Sequence, residues 1–119
     1  MSLLAGTQVG PYRVVEVKDW PQDDKAVVAG YVTNDAATAG AIVVIASFHD
    51  ADGRLMTRPY TMLRVPPHAR TPVQFVGPPG SKHGTIFAGE SIYPAPETIP
   101  SELDPSQFGS AAELDSKFR

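Results

Sequence analysis

The chain has 119 residues, with 10 basic and 13 acidic side chains, a net charge of −3 and no cysteine. That length points to one domain with a single core. The missing thiols exclude disulfides, zinc–thiolate sites and cysteine nucleophiles, and the charge balance gives no overall pull toward nucleic acid.

No apolar run approaches the ~20 residues of a membrane helix. Residues 1–10 read as a flexible arm. Its start, Met1-Ser2-Leu3-Leu4-Ala5-Gly6, lacks the basic head and apolar core of a secretory signal. Leu4-Ala5-Gly6 resembles the residues that precede a lipoprotein cysteine, but Thr7 stands in that place and cannot be lipidated. The expected location stays open between an extracytoplasmic chain whose leader was trimmed and a cytoplasmic one.

In chain order, Tyr12–Trp20 alternates Val15 and Val17 with Glu16 and Lys18, the period-two pattern of a half-buried strand. Pro21-Gln22-Asp23-Asp24 is a turn. Lys25–Asn34 is a second strand, in which Val28, Gly30 and Val32 share a face; Gly30 there allows close approach by a neighbour. Asn34–Gly40 is a loop of small residues. Ala41–His49 is a third strand, apolar on both faces, hence central and covered on both sides by the fold, by the tail or by a second chain. Asp50-Ala51-Asp52-Gly53 is a hairpin turn.

Arg54–Tyr60 and Thr61–Val65 follow as strands, with Pro59 marking an edge or an end. Residues 66–72 form a proline-stiffened connection, Val73–Val76 a strand, Gly77–Gly84 a flexible connector, and Thr85–Tyr93 a last strand. Short strands with turn signals every 8–12 residues argue for an all-β, antiparallel immunoglobulin-like sandwich of about seven strands spanning residues 11–95. A small barrel is the competing architecture. Residues 96–119 form a proline-rich tail, with a short helix expected within Ser106–Lys117.

The order Val28, Gly30, Val32, Asn34, then Phe48, Asp50, Asp52 and Gly53, then Pro67 to Pro72-Val73-Gln74-Phe75, resembles the FxLYD family and related bacterial immunoglobulin-like domains. The resemblance covers Ala26–Val76. It implies a seven-strand sandwich of a kind often extracytoplasmic or membrane-attached, without known catalysis, and it carries over no site residues. His49 stands where that pattern has tyrosine, and Pro66-Pro67-His68 replaces its Pro-Gly.

Candidate chemistry is sparse. Asp50 and Asp52 have the spacing of a calcium loop's beginning, but Thr61 occupies the position of its closing glutamate. Gly77–Gly84 is no phosphate loop: Lys82 follows Ser81, and Pro78 and Pro79 remove backbone donors. Ser47 or Ser81 can be drawn with His49 or His83, but nothing builds a nucleophile elbow. No catalytic residue, metal ligand or cofactor site is therefore assigned, and the chain is read as non-enzymatic.

The electrostatic feature is Gly53–Gly89, which has no acid but holds Arg54, Arg58, Arg64, Arg70 and Lys82. That segment carries +5 and leaves −8 for the rest. Arg54, Arg58, Tyr60, Arg64 and Arg70 are the candidate partner-binding residues of a basic face. Its occupant could be the acidic stretch Glu97–Asp115 of the tail or another protein. The expected function is a binding, adaptor or assembly module acting through a sheet edge or this face, with a homodimer as one form. One alternative is a small-ligand or metal site built from His68 and His83 at one loop end. Another is a cysteine-protease inhibitor-like domain, because Arg58-Pro59-Tyr60 resembles the Arg-Pro-aromatic loop of chagasin-type inhibitors and Asn34–Gly40 loosely echoes their companion loop.

Overall fold

A computed structural model describes Ala5, Gly6 and residues 8–99. The expected helix within 106–117 lies outside the described residues. Among the described residues there are nine strands: β1 (Ala5–Gly6), β2 (Gln8–Val9), β3 (Tyr12–Gln22), β4 (Lys25–Asn34), β5 (Gly40–His49), β6 (Leu55–Thr57), β7 (Tyr60–Val65), β8 (Arg70–Val76) and β9 (His83–Tyr93). All pairings are antiparallel. They form two sheets, one ordered β1-β9-β5 with β6 and β7 both on the far side of β5, the other β2-β3-β4-β8. The expected β-sandwich is present.

The boundaries differ from the sequence reading: Pro21 and Gln22, read as turn, belong to β3, and His83 and Gly84, read as connector, begin β9. The arm is not loose over its described residues: Ala5 and Gly6 pair with β9, while Gln8 and Val9 pair with β3, so it touches both sheets. The two strands expected after Gly53 are two pieces of one edge, broken at Arg58-Pro59. Strand β8 begins at Arg70 and includes Pro72.

Proline fits there for a definite reason. Gly77 N–H donates to the Ala26 carbonyl and Asn34 N–H to the Ala69 carbonyl. Bonded pairs alternate along an antiparallel ladder, so Pro72, opposite Tyr31, turns its nitrogen away from β4.

Strand β5 organises the molecule. Every residue from Gly40 to Phe48 is buried. Its inward side chains Ile42, Val44, Ala46 and Phe48 meet Val14, Val28, Val32 and Ile86 between the sheets. Its outward side chains Ala41, Val43 and Ile45 pack with Phe87 and are covered by Tyr60, Tyr93 and Ile99. Ile99 follows a 3-10 turn, Pro96–Thr98. The second cover expected over this strand is thus supplied in part by the start of the tail.

Turn chemistry follows the residues. Asp23, with φ of 57°, makes the tight β3–β4 hairpin, a conformation that Asp tolerates better than most residues. Asp50 Oδ1 accepts from the N–H groups of Asp52 and Arg54 at 2.9 and 3.0 Å, and Gly53 takes φ of 82°. The Asp50–Gly53 stretch is a hairpin, as its sequence indicates. The Gly77–Gly84 connector is pinned rather than free: Ser81 is buried, its Oγ accepts from Ala26 N–H at 2.9 Å and donates to the Pro78 carbonyl at 2.6 Å, and Lys82 N–H reaches the His49 carbonyl.

Candidate functional site

The arginine-rich segment does not form one face. The connection from β7 to β8 passes from one sheet to the other, and that crossing divides the candidates. Residues directly opposite each other on paired strands share a face. Tyr60, Met62 and Arg64 lie opposite Ile45, Val43 and Ala41, so their side chains occupy the outer face of the five-stranded sheet. Arg58, at the break in the edge, joins them by donating from Nε to Ser47 Oγ at 3.3 Å. Arg54 sits in the β5–β6 hairpin, at the end of β5 away from Arg64. Arg70 belongs to the other sheet, where it stacks on Tyr31 and pairs with Glu16. The single basic face expected from sequence is therefore divided: Arg58, Tyr60 and Arg64 on one sheet, Arg54 at its hairpin end, and Arg70 on the other sheet.

The β7 edge is the cleaner surface. Ala46 N–H donates to the Pro59 carbonyl at 2.9 Å, which sets the ladder's phase. Thr61, Leu63 and Val65 spend their backbone groups on β5, while Tyr60, Met62 and Arg64 turn theirs outward. The β5–β7 register runs without a shift from Gly40–Val65 to Ile45–Tyr60. The other long edges are each interrupted: β3 by a bulge between Val15 and Lys18, β8 by Pro72, and β9 by a register shift beside β1. Bulges and prolines are the usual protection of exposed edges. Among the described residues β7 has neither, and no strand pairs with its outer side. Met62 on it is 45% exposed.

The second surface is a groove of about 580 Å³ on the outer face of the four-stranded sheet. Its shape follows from register. Trp20 and Val76 flank Val27; Lys18 and Gln74 flank Ala29; Val15 and Pro72 flank Tyr31. The small side chain of Ala29 leaves a trough between the Trp20 row and the Tyr31 row, which are about 13 Å apart at the usual rise per residue. Trp20 is 40% exposed and Tyr31 37%. Two residues of β3, Glu16 and Val17, bulge opposite Gly30, and Glu16 takes φ of 55°. A Cβ on Gly30 would lie 3.2 Å from both the Val15 carbonyl oxygen and Val17 Cγ2, so glycine makes room for the bulge. The bulge turns Glu16 toward Arg70, whose guanidinium carbon lies 4.1 Å from the centre of the Tyr31 ring. The ion pair thus bridges β3 and β8 across β4.

His68 and His83 do not meet. His83 pairs with His49 at one end of β5, whereas His68 follows Val65, which pairs with Gly40 at the other end. The shared loop-end site is therefore not formed. His83 Nδ1 lies 3.5 Å from Asp19 Oδ2, which also accepts from Gly84 N–H. The inhibitor-like pair is also split: Pro59 sits beside Ala46, while the 35–39 loop precedes Gly40 at the far end.

Sequence reasoning missed Asn34 as a working residue. It is 1% exposed, and its Nδ2 reaches the carbonyls of Thr38, Val65 and Pro66 at 3.0–3.2 Å while Oδ1 accepts from Ala36 N–H. It locks two loops together. It also missed the groove, because Trp20, Tyr31 and Arg70 come from three strands. Burial pushes the Tyr12 hydroxyl above its ordinary pKa. No helix among the described residues is long and apolar enough to cross a membrane.

No family model and no curated protein matches the chain. Among solved structures, it is similar to the crystal structure of a DUF1425 family member from Shewanella sp. pv-4. The two superpose with a TM-score of 0.60 at 11% identity, over 76% of this chain and 93% of that one. At that identity the likeness supports the sandwich fold alone.

Proposed function

We propose that this chain is a non-enzymatic binding or assembly module that accepts an extended strand on the β7 edge. The observation that carries the reading is the straight run of outward backbone groups at Tyr60, Met62 and Arg64, which no strand among the described residues pairs. An added strand gains main-chain hydrogen bonds there, and the alternating side chains supply selectivity. Arg64, exposed on this edge, favours a strand that carries carboxylates. The FxLYD-like resemblance fits such a role, since the motif residues Val28, Val32 and Phe48 are core positions that leave the edge available.

A second copy satisfies the same edge. Two β7 strands meeting antiparallel about Met62 set Tyr60 of each chain opposite Arg64 of the other. A cation over an aromatic ring is favourable, and a two-fold axis repeats the contact.

Light scattering after size exclusion tests the dimer, and Met62→Pro is the informative variant. Proline at this outward position removes the central donor without breaking a bond to β5. The expected result is a concentration-dependent dimer that Met62→Pro converts to a monomer. A wild-type monomer would leave the edge to a different, carboxylate-bearing strand. An acidic strand-forming peptide that binds the wild type and the Met62→Pro variant equally would remove the edge reading altogether.

A further inference from the structure

The groove on the four-stranded sheet lies on the opposite sheet from β7, and the inference drawn from it is independent of the edge reading. We propose that it binds a proline-rich peptide in the polyproline II conformation.

The argument rests on hydrogen-bond polarity. Lys18, Arg70 and the Trp20 indole can only donate, and the Gln74 amide and the Tyr31 hydroxyl can donate or accept. The acceptor-only side chain of the lining is Glu16, and Arg70 already occupies it. Among the described residues, no hydrogen bond uses the side chains of Lys18, Trp20 or Gln74. The groove therefore matches a ligand rich in acceptors, poor in donors and faced with flat apolar rings.

A proline-rich strand has that chemistry. Proline has no N–H, and polyproline II makes no internal hydrogen bonds, so its carbonyls are free. Its pyrrolidine rings can pack on Trp20, Tyr31 and Pro72. A glycan fits less well, because its hydroxyls donate as well as accept and the one carboxylate is taken.

The dimensions agree. One polyproline II turn advances about 9.3 Å, close to the two strand spacings, about 9.6 Å together, that separate β3 from β8. A peptide crossing the strands brings carbonyls one turn apart to Lys18 on β3 and Gln74 on β8, with Ala29 beneath it.

Trp20 is the single tryptophan of the chain, so its emission reports on this groove. Decaproline should change that emission saturably, while a glycine–serine decapeptide should not. Gln74→Leu should raise the Kd about fivefold by removing one donor. Tyr31→Ser should raise it about tenfold by removing a ring wall and the seat of Arg70. Gln74 is exposed on an edge strand, so its variant serves even if Tyr31→Ser does not fold. No saturable response to decaproline overturns the proposal. So does a response to cellohexaose without one to decaproline, which would make the groove a glycan site. An unchanged Kd in Gln74→Leu together with an unchanged Kd in any folded Tyr31→Ser places binding elsewhere and also overturns it.

Discussion

The ring of Phe48 lies against the backbone of Gly84: a methyl group on Gly84 would come within 2.9 Å of ring carbon Cε1 and 3.1 Å of Val28 Cβ. Glycine is required here for proximity. Gly84→Ala should destabilise the fold by about 1–3 kcal/mol, the usual cost of overpacking. Phe48→Leu alone leaves a cavity and is destabilising too. Combined with Gly84→Ala it should cost clearly less than the sum of the two, because each change relieves the other. Urea unfolding of the four proteins measures the coupling; strictly additive values would show that the ring and the glycine do not constrain each other.

Asn34→Ala removes the amide shared by three carbonyls and the acceptor for Ala36 N–H. The expected loss is about 2–3 kcal/mol, since buried backbone groups lose their partners. That corresponds to a fall in Tm of about 8 °C or more. A shift within ~1 °C would mean that water replaces the side chain at no cost.

Ile99→Ala uncovers Val43 and Ile45, against which Ile99 packs. A loss of about 2–4 kcal/mol is expected for a buried isoleucine, with the transition still cooperative. Thermal melting reads it directly. An unchanged Tm would mean that the outward side of β5 is held by Tyr60 and Tyr93 without help from the residue after the 3-10 turn.

Tyr12 supplies an alkaline pH dependence. Its hydroxyl is held above the ordinary value near 10 because burial penalises the phenolate. Below about pH 10 both folded and unfolded chains keep this proton. Above it the unfolded chain ionises first, so stability falls as pH rises. Tyr12→Phe should lose stability less steeply above about pH 10, with equal slopes for the two proteins below it. Identical slopes above it as well would assign the alkaline limb to other groups.

Much of this was legible in the sequence. The shared face of Val28, Gly30 and Val32 marked β4, the doubly apolar run marked β5 as central, and Gly30 announced a close neighbour. The alternation of Val15 and Val17 marked β3 as a strand but misplaced a face, because the bulge sets Val15 opposite Tyr31 on the outer side while Val17 packs on the core. The misreadings share a cause. Pro72 argued against a strand because proline cannot donate, yet at an edge its nitrogen faces outward and nothing is lost. Arg70 was grouped with Arg64 because both lie in the acid-free segment, but the residues between them carry the chain from one sheet to the other. His68 and His83 were joined by loop composition, which says nothing about which end of a sandwich a loop occupies. The groove needed the register of three strands and a bulge, none of which a linear pattern encodes.

Strand β5 has a partner on each side along its length and a core on each face. Its amides should therefore be the last to exchange with solvent, opening only when the whole domain does. The β7 edge lies one strand away and has an open flank. A ligand joining there would add its bonds beside the most durable part of the molecule, so docking can be firm without asking the interior to rearrange.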